Sequence, residues 1–127
     1  AIYAPNSDSV HAAADIAAEF PTMKFVLLAM GGEDWRMAVA AAKRQINLYL
    51  DASGSLDSDK ISHAVATLTQ RKLLFGSGLP YRDPELTLGL IAEATGLTGP
   101  DRARILSQNA QALRCILRCT CARKILF

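Results

Sequence analysis

Three continuous apolar runs, each ending in a small-residue turn and each separated from the next by a helical segment, constrain this chain most. "MKFVLLAM" closes on Gly31-Gly32, "INLYLDASG" on Ser53-Gly54, and "KLLFGSGLPY" on Gly76-Ser77-Gly78 before Pro80. Apolar runs of this length with β-branched residues read as strands. Strands that alternate with helices imply βαβ units, a parallel sheet and right-handed crossovers. The strands are apolar enough to predict cover on both faces.

The helical segments fit between them. "SDSVHAAADIAAEF" opens at a Ser7/Asp8 cap and puts Val10, Ala13, Ala14, Ala17 and Phe20 on one face, and Pro21 ends it. "EDWRMAVAAAKRQ" carries acids at its start and bases at its end, as the helix macrodipole favours. "LDSDKISHAVATLTQ" is capped near Ser58; "DPELTLGLIAEATG" starts at Pro84 and stops at Gly96. A longer terminal helix is expected over "GPDRARILSQNAQALRCILRC". At 127 residues, with half of them hydrophobic and 20% charged, the chain suits one globular domain. No apolar run is long enough to span a bilayer, and no targeting leader is visible.

Charge is uneven. Residues 1–100 carry a net −3 and residues 101–127 a net +5. The basic end could meet a polyanion or a membrane surface, but the plainer reading is a solvated helix face, so neither nucleic acid nor membrane is expected as a partner. Cys115, Cys119 and Cys121 all fall in the last thirteen residues. Their odd number and clustering argue against a disulfide framework and for a reducing, cytoplasmic setting.

The order "EFPTMKFVLLAMGG", "INLYLDASGS", "KLLFGSGLPY", "ILSQNAQAL" resembles the carboxy-terminal half of the amidohydrolase-related metal-dependent hydrolases over about residues 10–114. The resemblance implies a truncated (β/α)₈ barrel: the last three βα units over 1–114, followed by a basic, Cys-containing helical tail at 115–127. It also implies metal-assisted hydrolysis of a small-molecule ester, lactone, amide or phosphoester. Two positions depart from it. The family's histidine before Gly-Gly is replaced by Ala29, and the aspartate of its last strand by Gly78. The family's His-x-His pair and fifth-strand His are expected upstream of Ala1. Three strands cannot close a barrel and the apolar runs carry no edge protection, so self-association into a dimer or higher oligomer is expected.

Other residues could still carry chemistry. Asp8, His11 and Asp15 share a helix face at i, i+3 and i+7, and Asp59 and His63 stand at i and i+4. Carboxylate and imidazole at helical spacing can hold zinc or manganese when facing helices share the site. His11, Asp15, Asp59 and His63 are therefore candidate metal ligands at an oligomer contact, with His63 or His11 as a catalytic base. The plain alternative is a solvated histidine beside an acid. Cys115 and Cys119, one turn apart beside Arg114 and Arg118, form with Cys121 a possible thiol cluster, or three unrelated thiols. Gly76-Ser77-Gly78 lacks the spacing of a phosphate loop or a nucleophile elbow, so it reads as a turn. Two functions follow: a promiscuous zinc hydrolase with a site assembled between chains, or a non-catalytic, self-associating piece of a barrel.

Overall fold

A computed structural model describes residues 1–3, 6–55 and 57–114. Its elements are β1 (Ile2–Tyr3), α1 (Ser7–Glu19), β2 (Phe25–Leu28), α2 (Trp35–Arg44), β3 (Leu48–Asp51), α3 (Ser58–Leu68), β4 (Leu73–Leu74), α4 (Pro84–Glu93) and α5 (Gly99–Ala103). A wide π-type turn over Arg104–Gln108 follows α5, and the helix continues over 109–114. All neighbouring strands are parallel, in the sequential order β1-β2-β3-β4. Each helix packs on the next, α1 on α2, α2 on α3 and α3 on α4. Strands that neighbour in chain order, with their helices in a row, make this a segment of a (β/α)₈ barrel.

The sheet has four strands, not the three expected. Counted back from the last strand of an eight-stranded barrel, β1 falls fifth. The described part of that strand is Ile2–Tyr3. β2 is an inner strand, so its lack of charge exposes no edge.

Local chemistry accounts for the helices. Asn6, not Ser7 or Asp8, caps α1: its side chain accepts from Ser9 N at 3.0 Å, and Ser9 Oγ accepts from Asn6 N at 3.2 Å. This reciprocal pair satisfies two donors that the first turn leaves free. Val10, Ala13, Ala14 and Ala17 are buried along one stripe. Trp35, Ala38, Val39, Ala41 and Ala42 do the same for α2, where alanines allow the helices to approach closely. Asp57 caps α3, and Asp83 caps α4 ahead of Pro84.

The register divides the sheet into two faces. Ile2, Leu27, Leu50 and Leu73 form one row, flanked by Phe25 and Leu48. Leu27, Leu48, Leu50 and Leu73 are completely buried. Each contributes about 1.5–3 kcal/mol relative to an exposed position. The alternate residues, Tyr3, Val26, Leu28 and Tyr49, point to the other face. Tyr3 is 68% exposed and the other three are only partly covered. Asp51 and Leu74, on that same face, are buried, so the expected cover on both faces holds at β3–β4 and lapses toward β1 and β2.

Polar side chains pin the amino ends and one edge. Asn47, fully buried, donates from Nδ2 to the carbonyls of Ala17 (2.9 Å), Phe20 (3.0 Å) and Met23 (2.8 Å). The usual helical donor to Ala17 would be residue 21, but Pro21 has no N–H, so Asn47 supplies the missing bond. Lys72 Nζ donates to the carbonyls of Gln45, Ile46 and Leu48 at 2.7–3.0 Å. Burial, with help from Lys24, pulls the Lys72 pKa down to about 8. Asn109 donates from Nδ2 to Gln70 O and Leu73 O, both at 2.7 Å, and Phe75 N donates to Ile105 O at 3.0 Å. Leu73 and Phe75 face the same edge by strand alternation. The terminal helix therefore occupies the edge of β4, and the expectation of unprotected edges fails there.

Candidate functional site at the carboxyl ends of the strands

In a parallel α/β sheet, ligands bind beyond the carboxyl ends of the strands. Small residues shape that end here. After Leu28 the backbone turns left-handed through Ala29 (φ 54°), Met30 (φ 51°), Gly31 (φ 81°) and Gly32 (φ 68°). A Cβ on Gly31 would come within 2.5 Å of Ala38 Cβ, so α2 can follow β2 this closely only with glycine there. At the end of β3, a Cβ on Gly54 would overlap Ala29. At the end of β4, a Cβ on Gly76 would overlap the Asp51 carboxylate. Asp51 is buried, and its Oδ1 accepts from Ser53 N at 2.6 Å. Buried Ser55 donates to Met30 Sδ at 2.8 Å, which ties the two turns together. The strand ends are pinched together by glycine contacts.

A cavity of about 320 Å³ opens over this pinch. β1 contributes Tyr3, the turn after β2 contributes Ala29, Gly32 and Glu33, and the turn after β3 contributes Gly54. Lys60 from the first turn of α3 and Arg82 from the loop before α4 complete its wall. Arg82 also borders a second hollow of about 280 Å³ along α4, beside Glu85 and Glu93. The chemistry of the first cavity is one phenol, one carboxylate and two cations. Ala29, where the resemblance places a histidine, is part of its wall.

The inherited metal positions do not fit a metal. Ala29 and Gly78 have no donor atom, and a Cβ on Gly78 (φ 74°) would lie 3.2 Å from Arg82 Cβ. Among the described residues no group of three His, Cys, Asp or Glu side chains could hold an ion. The helix-borne candidates stand apart. Asp8, His11 and Asp15 are exposed on α1, and His11 edges a hollow of about 230 Å³ with Met37, Ala40 and Arg44. Asp59 and His63 are exposed on α3, with α2 lying between the two helices. The His63 ring meets Trp35 edge-on, 5.2 Å between centroids at 85°. Arg36 stacks over the same indole at 4.4 Å and Lys60 reaches it at 5.9 Å. Neither pair lines the strand-end cavity; of α3 only Lys60, the chain neighbour of Asp59, does. Cys115, Cys119 and Cys121 lie outside the described residues.

Sequence reasoning missed Tyr3, Glu33, Lys60 and Arg82, which come together only across the fold. Asp51 had a readable signal, an acid closing an apolar strand before Ser-Gly. Among the described residues, no helix is long and apolar enough to cross a membrane.

No curated protein sequence matches the chain. Solved structures match it in fold. A dihydroxybenzoic acid decarboxylase from Polaromonas sp. JS666, with bound manganese and the inhibitor 2-nitroresorcinol, superposes with a TM-score of 0.66 at 19% identity, over 94% of this chain and 42% of its own. For 4-oxalomesaconate hydratase from Rhodopseudomonas palustris the TM-score is 0.63 at 19% identity, over 91% of this chain and 43% of its own. For 2,6-dihydroxybenzoate decarboxylase from Rhizobium the values are 0.60 and 14%, over 82% and 41%. The chain thus spans a little over two fifths of each neighbour's length. The family model for amidohydrolases matches residues 6–113, nearly the whole described chain. With a sequential parallel sheet, helices along one face and a cavity at the strand ends, this chain belongs to the amidohydrolase family.

Proposed function

We propose that the chain hydrolyses ester-type bonds (carboxylic ester, lactone or phosphoester) with a divalent metal, zinc first, held where copies of the chain meet. The observation that carries this reading is the strand-end cavity with α3 in its wall. Lys60 lines it, and Asp59 and His63 stand one residue before and three residues after Lys60 on the same exposed helix. A catalytic zinc takes about three protein ligands and leaves one position open. One chain offers an acid and an imidazole on α3 and another such pair, Asp15 and His11, on α1; a second copy would supply the remainder. The metal would provide an acidified water at neutral pH. His63 would orient that water or take its proton, and Asp59, one turn earlier, would hold the imidazole in place. The partly covered row Tyr3, Val26, Leu28 and Tyr49 offers apolar surface for a second copy. The manganese in the Polaromonas decarboxylase supports a divalent ion as the family's cofactor.

The test is metal analysis of the purified protein together with turnover of an activated ester and a phosphodiester. The expected result is stoichiometric zinc, activity abolished by a chelator, and at least a hundredfold loss in His63→Ala. Metal-free, inactive protein refutes it. That outcome supports the second reading, a non-catalytic, self-associating piece of an amidohydrolase barrel, which the missing donors at Ala29 and Gly78 favour. Light scattering tests the association common to both, and a stable monomer at micromolar concentration refutes it.

A further inference from the structure

We propose that the strand-end cavity is a binding site for a tetrahedral oxyanion, so that substrates carrying a phosphoryl group are preferred over neutral esters. This rests on the hydrolase reading for its meaning as substrate selection, but the binding site stands on its own residues. Lys60 and Arg82 bring two cationic side chains to one cavity of about 320 Å³. Guanidinium and ammonium groups are the side chains that bind phosphate oxygens most strongly, the first as a planar fork and the second as a point charge. Tyr3, which also lines the cavity, carries a phenol that can donate. Gly32 also lines the cavity and adds no side chain to it.

Glu33 is the one acid in the wall, and it lies in the turn after β2. It sets the sign of a useful control, because removing its charge strengthens an anion site and weakens a cation site. Both cationic side chains are only partly buried and Glu33 is exposed, so charge-removing amides at these positions leave the packed core untouched.

Trp35 is the single tryptophan of the chain, and Lys60 Nζ sits 5.9 Å from its ring. An anion that draws Lys60 into the cavity alters the indole's surroundings, so Trp35 fluorescence reports on occupancy. The full chain is titrated with inorganic phosphate at constant ionic strength, in EDTA so that no metal-bound phosphate contributes, and in parallel with acetate. The expected result is saturable phosphate binding, weakened about tenfold or more by Arg82→Gln and by Lys60→Gln, and tightened by Glu33→Gln. Acetate binds more weakly. Absence of saturation overturns the proposal, as does binding unaffected by both cation substitutions, weakened binding in Glu33→Gln, or acetate binding as tight as phosphate. Turnover of a neutral ester by the same preparations, without EDTA, separates the two readings. Phosphate binding without turnover retains the anion site and rejects the hydrolase, whereas turnover without phosphate binding rejects the anion site alone.

Discussion

Replacing Asn47 with leucine keeps the side chain's approximate volume and removes its only donors. Three carbonyl oxygens lose a partner: Ala17, Phe20 and Met23. They are not equivalent. Phe20 O also accepts from Met23 N at 3.0 Å, so it stays satisfied. Met23 is exposed, and water can replace the lost bond there. Ala17 is fully buried, and Pro21 offers its carbonyl no N–H, so that acceptor is orphaned. A buried acceptor left without a partner costs about 1–3 kcal/mol, and the solvated one adds up to about 1 kcal/mol. Asn47→Leu should therefore destabilise the fold by about 1–4 kcal/mol, a large part of a domain's usual margin of about 5–15 kcal/mol. Urea unfolding followed by far-UV circular dichroism measures it as a fall in the midpoint at unchanged slope. Asn47→Asp should be worse at pH 8, because a carboxylate would face the same three oxygens, and should recover on acidification as a proton restores a donor. A leucine variant within about 0.5 kcal/mol of the parent, or an aspartate variant no worse than leucine at pH 8, would refute the reasoning.

Three further outcomes follow from the structure. Lys72 has a pKa of about 8 in the folded chain against 10.5 when free, so between those values the unfolded chain binds the extra proton and stability rises with pH; chemical denaturation at pH 8 and pH 10 should show that gain, and Lys72→Met should lack it. Gly76→Ala drives a methyl into the Asp51 carboxylate and should cost about 1–3 kcal/mol, most of it relieved in the double variant with Asp51→Ala; a cycle with no coupling energy contradicts the contact. Introducing the residues that the resemblance implies, by Ala29→His with Gly78→Asp, should not create a stoichiometric metal site, because position 78 has φ 74° and lies against Arg82; metal analysis of the double variant decides it.

Much of the architecture could be read because its causes are local. The stripe Val10, Ala13, Ala14, Ala17 and the start at Pro84 depend on spacing and backbone chemistry within a turn or two. β1 could not be read, because two residues carry no periodicity and Ile2-Tyr3 is a strand only through its pairing with Leu27 and Leu28. The uneven cover of the second face was equally hidden: Val26 and Leu27 look alike in sequence, and only the helices' position makes one half-covered and the other fully buried. Asn47 reads as the polar side of an alternating strand, yet it is buried, as a donor to a helix end thirty residues away. That Ala29 and Gly78 carry no donor atom is plain from the sequence; that a histidine and an aspartate belong there is what the resemblance implies. The cavity formed by Tyr3, Glu33, Lys60 and Arg82 was not legible, since nothing local links residues separated by nearly eighty positions.

The contacts that Asn109 and Ile105 make with β4 bear on the arithmetic of assembly. Among the described residues the sheet has one spare border, along Ile2–Tyr3, because the terminal helix already fills the other. A unit that can extend on both sides polymerises without limit, whereas a unit with a single vacancy is exhausted by its first neighbour. Among the described residues, a side-chain amide and one widened helical turn thus close the β4 border to a further strand.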